Sequence, residues 1–331
     1  MGATTGALIG MKHEDNHSAD PNGLRSAYGH SRNGDPLSIN RAPAQAIAPW
    51  VARIYATDVD ADPDNVVRCH ILSDTPVLRV IFRGEWTAET LYGTGRYSRS
   101  AIFAGPQTHA MPVRVTGAFA TLAVSLRPGA VDALGGPPIS ETLDRIIYYD
   151  DIYGDRPWGQ SKTLIEWFDE RGPPERWLAV ADKLMAQLIE IHGNHRPDPI
   201  IGAFDRAAFE NPNFGLREFA EEHGVSLRKL ERIIKRAYGQ TPTQVLRRAR
   251  VLDLAAELRG VADAAEAEEL NLRYYDQSHM IREFTHFFGV TPKQFAKSPA
   301  PIMTLTLEAR QARRLEVIGR QEPGSPPPWR Q

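Results

Sequence analysis

The chain is poor in cysteine and has no long apolar run, and each deficit narrows what it can be. Cys69 is the only cysteine in 331 residues. One thiol forms no internal disulfide and cannot build a zinc site alone, which fits a reducing, cytoplasmic setting. No stretch approaches the roughly 18 consecutive apolar residues of a membrane helix. The N-terminus has no apolar segment followed by a cleavage site, so neither secretion nor membrane contact is expected. Clustered histidines are missing as well. The strand-like region offers only His70 and His109, far apart, where a metal-dependent barrel would need several histidines and a carboxylate. An enzyme fused to another unit is therefore the least favoured class, and no cofactor or metal is expected. Charge of one sign is also lacking: the net charge is −2, so nothing at the whole-chain scale favours a polyanionic partner.

What is present is a repeat at a fixed offset of 50 residues near the C-terminus. Ser226-Leu227-Arg228-Lys229-Leu230-Glu231-Arg232 leads into Tyr238-Gly239-Gln240-Thr241-Pro242-Thr243-Gln244. Asp276-Gln277-Ser278-His279-Met280-Ile281-Arg282 leads into Phe288-Gly289-Val290-Thr291-Pro292-Lys293-Gln294 without a gap. A capped helix, a glycine stop and a new Thr-Pro helix start occur twice. Charge is segregated around the first copy. Residues 228–250 carry a local excess of +7, and residues 261–270 carry −4. A basic stripe on one face is what phosphate binding needs.

The remainder divides by composition. Residues 1–45, rich in Gly, Ser, Asn and Pro, are expected to be disordered. Residues 46–192 form a regulatory or dimerising domain. Within it, 66–72, 77–82, 101–104, 113–115 and 119–126 read as short strands of a small antiparallel barrel or sandwich. Pro173-Pro174 opens a helix with Trp177, Leu178, Ala181, Leu184 and Met185 on one face. Tyr148-Tyr149-Asp150-Asp151 reads as a loop. Residues 193–199 read as a linker, 200–297 as an all-α unit, and 298–331 as a loose tail ending in Pro-Gly-Ser-Pro-Pro-Pro. The fold class is thus α+β multidomain.

In the all-α unit, Gly224 suits the left-handed turn after a helix and Ser226 is a natural cap for the next. That helix places Leu230, Ile233, Ile234 and Ala237 inward, and Arg228, Glu231, Arg232 and Lys235 outward, which is a helix-turn-helix pattern. Outward arginines suit guanine O6 and N7, or phosphate. Thr241 caps the long helix from Pro242 to Leu258, whose exposed first amides can hold a phosphate oxygen. In the second copy Asp276 is the cap, Thr291 repeats Thr241, and Gln277, Ser278, His279, Ile281 and Arg282 face outward. Gln277 suits adenine. His279 and His286, seven apart with no third ligand, make a poor metal site.

These residues resemble the AraC-type family of bacterial transcription regulators, over roughly 200–297. The most specific stretch is Tyr274-Tyr275-Asp276-Gln277-Ser278-His279-Met280-Ile281-Arg282-Glu283-Phe284 with Phe288-Gly289-Val290-Thr291-Pro292 behind it. The resemblance implies two helix-turn-helix units joined by a long helix, reading successive major-groove segments. It implies base contacts from Arg228, Glu231, Arg232, Gln277, Ser278, His279 and Arg282. A weaker similarity, at 104–108 and 124–129, likens the N-terminal part to the regulatory domain that precedes such units. The expected partner is double-stranded DNA. The domain order admits a small-molecule effector, RNA polymerase and a second copy of the chain, and equally admits a constitutive DNA-binding protein whose N-terminal domain only dimerises. Two departures from the family pattern, Arg273 at the turn of the second unit and Glu268-Glu269 before it, suggest loose docking of that unit.

Overall fold

The computed structural model describes residues 23–155, 159–193, 195–263 and 277–330. Its N-terminal part is one antiparallel sheet built of β1 (Arg25–Ser26), β2 (Ile39–Arg41), β3 (Val51–Asp60), β4 (Val66–Ile71), β5 (Val77–Thr90), β6 (Gly93–Tyr97), β7 (Ser100–Ala104), β8 (Met111–Leu126) and β9 (Ile146–Tyr148). The order is β1-β3-β8-β5-β7-β9, with β2 on β3, β4 on β8 and β6 on β5. Among the described residues this path is not closed, so the sheet is open.

The long strands β5 and β8 run through the whole sheet and bend partway. Their ladder shifts register between Ile81 and Arg83 and again between Arg83 and Glu85. Gly84 sits in that break at φ +102, where a Cβ would lie 2.8 Å from the Phe119 Cβ, so only glycine fits. Beyond the bend β8 changes character. Met111 to Val115 alternate buried and exposed or half-buried positions, whereas Phe119 to Leu126 are buried on both faces.

Both faces are covered. On one, α4 (Ser161–Phe168) and α5 (Pro174–His192) lay Leu164, Phe168, Trp177 and Leu184 on Leu78, Phe82 and Leu122, after the short helices α1 (Ala130–Ala133), α2 (Ile139–Thr142) and α3 (Tyr149–Tyr153). On the other, Val67, Trp86, Val113 and Phe119 share a core with the C-terminal helices. Those helices are α6 (Pro199–Glu210), α7 (Leu216–Glu222), α8 (Leu227–Tyr238), α9 (Pro242–Leu258), α10 (Gln277–Phe288), α11 (Pro292–Lys297) and α12 (Pro301–Val317). Ile201, Phe204, Phe219, Leu230 and Ile234 form a separate small core under α6 to α8.

Four expectations are corrected. Residues 23–45 are built in, with Leu24, Asp35, Leu37 and Ser38 buried; the rest of the expected disordered segment, 1–22, lies outside the described residues. Tyr149 to Tyr153 are helical. The separate strands 113–115 and 119–126 are one strand. The tail is not loose: α12 is buried almost end to end, including Glu308, Arg310, Arg313 and Arg314. Each charge finds a partner. Arg310 pairs with Asp74 at 2.8 Å and Asp253 at 2.7 Å, Glu316 with Arg53 at 2.7 Å, Arg313 with Asp205, and Glu308 with Arg330. Arg314 donates to the Phe209 carbonyl at 3.0 Å. Breaking a buried pair of this kind by removing one partner is costly, because it leaves an uncompensated charge.

Candidate nucleic-acid interface

The first unit is built as the sequence pattern requires. α7 buries Phe219 and Ala220, and Gly224 turns the chain at φ +64 while the Val225 amide donates back to the Ala220 carbonyl at 2.9 Å. The Ser226 Oγ accepts the Lys229 amide at 3.2 Å and starts α8. Leu230, Ile234, Ala237 and Tyr238 are buried, leaving Arg228, Glu231, Arg232 and Lys235 exposed on the opposite face. Ser226, Arg228, Lys229, Glu231, Arg232 and Lys235 line one concave surface with Thr241 and Pro242, the start of α9. Thr241 and Gln244 form a reciprocal capping box, with the Thr241 amide donating to Gln244 Oε1 at 2.9 Å. Among the described residues, Arg228, Arg232 and Lys235 make no ion pair, so their charge faces solvent uncompensated.

The second unit repeats the frame. α10 exposes Ser278, His279 and Arg282 and buries Phe284, Phe287 and Phe288. Gln277 begins the helix. Thr291 and Gln294 repeat the capping box, with the Thr291 amide donating to Gln294 Oε1 at 2.9 Å. Asp276, Arg273 and Glu268-Glu269 lie outside the described residues.

Two expectations about this surface change. The basic stripe over 228–250 is half as long as its charge count suggests, because the arginines of α9 turn inward. Arg248 is fully buried and donates to the carbonyls of Gln107 at 2.7 Å and Asp74 at 3.1 Å. Arg247 and Arg250 reach Glu283 of α10 at 2.8 and 2.9 Å. Nor does α10 sit loosely. Its three phenylalanines lie in the core shared with the sheet, and Glu283, with 2% of its side chain exposed, locks it to α9. Burial pushes the Glu283 carboxyl up, but the Arg250 and Arg247 guanidiniums pull it down further, so it is held below its ordinary value. The Ala110 amide also donates to the Phe287 carbonyl at 2.7 Å, and the His109 and His286 rings meet edge to face at 4.9 Å. Sequence reading missed the Glu283 clamp. The signal was one carboxylate among the inward phenylalanines of a helix, with unexplained arginines on its neighbour.

Among the described residues no group of three or more His, Cys, Asp or Glu could hold a metal ion. Burial pushes the Cys69 thiol up to about 12, which leaves it an inert core residue. No helix among the described residues is long and apolar enough to cross a membrane.

Residues 219–298 match the helix-turn-helix domain family, and residues 40–148 match a domain of unknown function, DUF6597. The helix-turn-helix region is of the AraC type. No curated protein sequence matches the chain. Among solved structures, ToxT from Vibrio cholerae O395 is 10% identical and overlaps 70% of this chain and 95% of its own at a TM-score of 0.41. An unsaturated fatty acid-bound ToxT from V. cholerae strain SCE256 is 8% identical, covering 79% and 96% at 0.40. The AraC-like transcriptional activator CuxR is 13% identical, covering 67% and 88% at 0.31.

Proposed function

We propose that this chain, whose C-terminal region is an AraC-type helix-turn-helix domain, is a sequence-specific transcription regulator that reads two successive major-groove segments with α8 and α10. The observation that carries this reading is the duplicated frame: two helices at one offset, each burying an apolar face, presenting a short polar row and leading into a Thr-Pro capping box. Arg228, Arg232 and Arg282 suit guanine or phosphate, Gln277 suits adenine, and Glu231, Ser278 and His279 supply further acceptors and donors. Lys235 and the electropositive helix starts that follow Thr241 and Thr291 suit phosphate. Binding, not covalent chemistry, is the mechanism.

Modulation through the sheet domain is part of the proposal. The sheet, α9 and α10 share one core, so a ligand that repacks the sheet must also strain the second unit. A small apolar cavity of about 50 Å³, lined by Trp86, Tyr97, Ile102, Val113 and Ile302 with Arg79 as its cation, would have to widen several-fold to admit such an effector. Selection of bound sequences from a random duplex pool at two salt concentrations tests the reading. Two half-elements about 10 bp apart are expected; no enrichment at either salt would overturn it. A thermal-shift screen with small molecules separates sensing from constitutive binding, because only a sensing domain gains stability from a specific ligand.

A further inference from the structure

The described residues from 195 to the C-terminus leave two large hydrophobic side chains exposed, Leu227 and Ile281, and each lies on a recognition helix. Ile281 is 42% exposed. It lies next to Arg282 and one turn beyond Ser278, both exposed, at the edge of the outward face of α10 where that face borders the buried row of Phe284 and Phe288. Every other apolar residue of α10 is spent on the core: the phenylalanines are buried and Met280 packs against the same cluster. An isoleucine kept in water within a polar row loses the burial its type normally seeks. In a major groove that loss is recovered on one chemical group, the thymine 5-methyl, the apolar feature by which base edges differ there.

We infer that Ile281 is a specificity residue that packs against a thymine methyl in the segment read by α10. The inference rests on the proposed DNA reading and adds to it a base identity at one position. In the register of the repeat Ile281 corresponds to Glu231, a carboxylate suited to the cytosine N4 amino group. The two units are therefore keyed differently at equivalent places and select an asymmetric site, not a direct repeat.

The test uses the full chain and the duplex it selects, with each thymine replaced in turn by uracil, which removes only the methyl. One replacement in the second half-element is expected to weaken binding about fourfold, the worth of one buried methyl-sized group. In Ile281→Ala, whose exposed position leaves the fold intact, thymine and uracil duplexes are expected to bind alike. The inference is overturned if no thymine in that half-element is sensitive, or if Ile281→Ala keeps the full thymine preference. If the wild-type chain binds no duplex selectively, the DNA reading itself fails, and that result is distinct from methyl-blind binding.

Discussion

Arg228 and Arg248 stand on consecutive helices of one motif, yet their guanidiniums have opposite fates. Arg228 is open to solvent and makes no ion pair among the described residues, while Arg248 is sealed against two carbonyls. Arg228→Ala or Arg232→Ala should therefore leave stability unchanged and weaken specific binding by roughly 1–3 kcal/mol, read by titrating the selected duplex. Because α10 is clamped as firmly as α8, Arg282→Ala should cost a similar amount; a loss confined to α8 would sink the two-reader proposal. Glu283 belongs to the opposite class. Glu283→Ala leaves two guanidiniums facing an empty site and should cost on the order of 3 kcal/mol in urea unfolding. Its pH signature has a fixed sign. The folded carboxyl titrates below the ordinary glutamate value of about 4.3. Its contribution is therefore present above that value and is lost as pH falls through the lower folded one. Unfolding midpoints between pH 5 and 3 should fall more steeply for the wild type than for Glu283→Ala.

At the scale of elements, the local signals were legible and the tertiary ones were not. Gly224, Ser226, Thr241 and Pro242 act through bonds a few residues long, so the bounds of α8 and α9 follow from the sequence alone. Thr241→Ala and Thr291→Ala should each cost about 1 kcal/mol of stability. β3 was not anticipated because Arg53 and Asp58 interrupt its apolar alternation. Arg53 is tolerated there only because Asn40 and Glu316, distant in sequence, receive it. α12 was hidden for the same reason. Arg310 and Arg313 fit a loose, solvated tail until Asp74, Asp253 and Asp205, distant in sequence, are brought to them. Its burial has a direct check: Leu307 is fully buried, so Leu307→Ala should cost about 2–5 kcal/mol, where a loose tail would give no effect.

At the scale of the whole molecule, the two helix-turn-helix units are attached differently. The first keeps a small core of its own, while the second shares its core with the sheet through α9, α10 and α12. The contact between sheet and second unit carries a titratable pair, His109 on the sheet side and His286 on α10. Burial first, then the neighbouring His109 and Arg247, pull the His286 pKa below its ordinary value, with Glu283 opposing them. A histidine lowered in the fold binds its proton more readily when unfolded, so the native state loses stability as pH falls through the ordinary value of about 6.5. Acidification from pH 7 to 5.5 should therefore lower the melting temperature and loosen the second unit before the first. His286→Asn keeps a polar side chain at that place without the charge and should flatten the slope, measured by calorimetry across that interval. An unchanged slope would mean that the ring contact carries no proton-linked strain. The sheet would then hold the second unit through Phe284, Phe287, Phe288 and the Ala110–Phe287 backbone bond, and its grip would not respond to pH in this range.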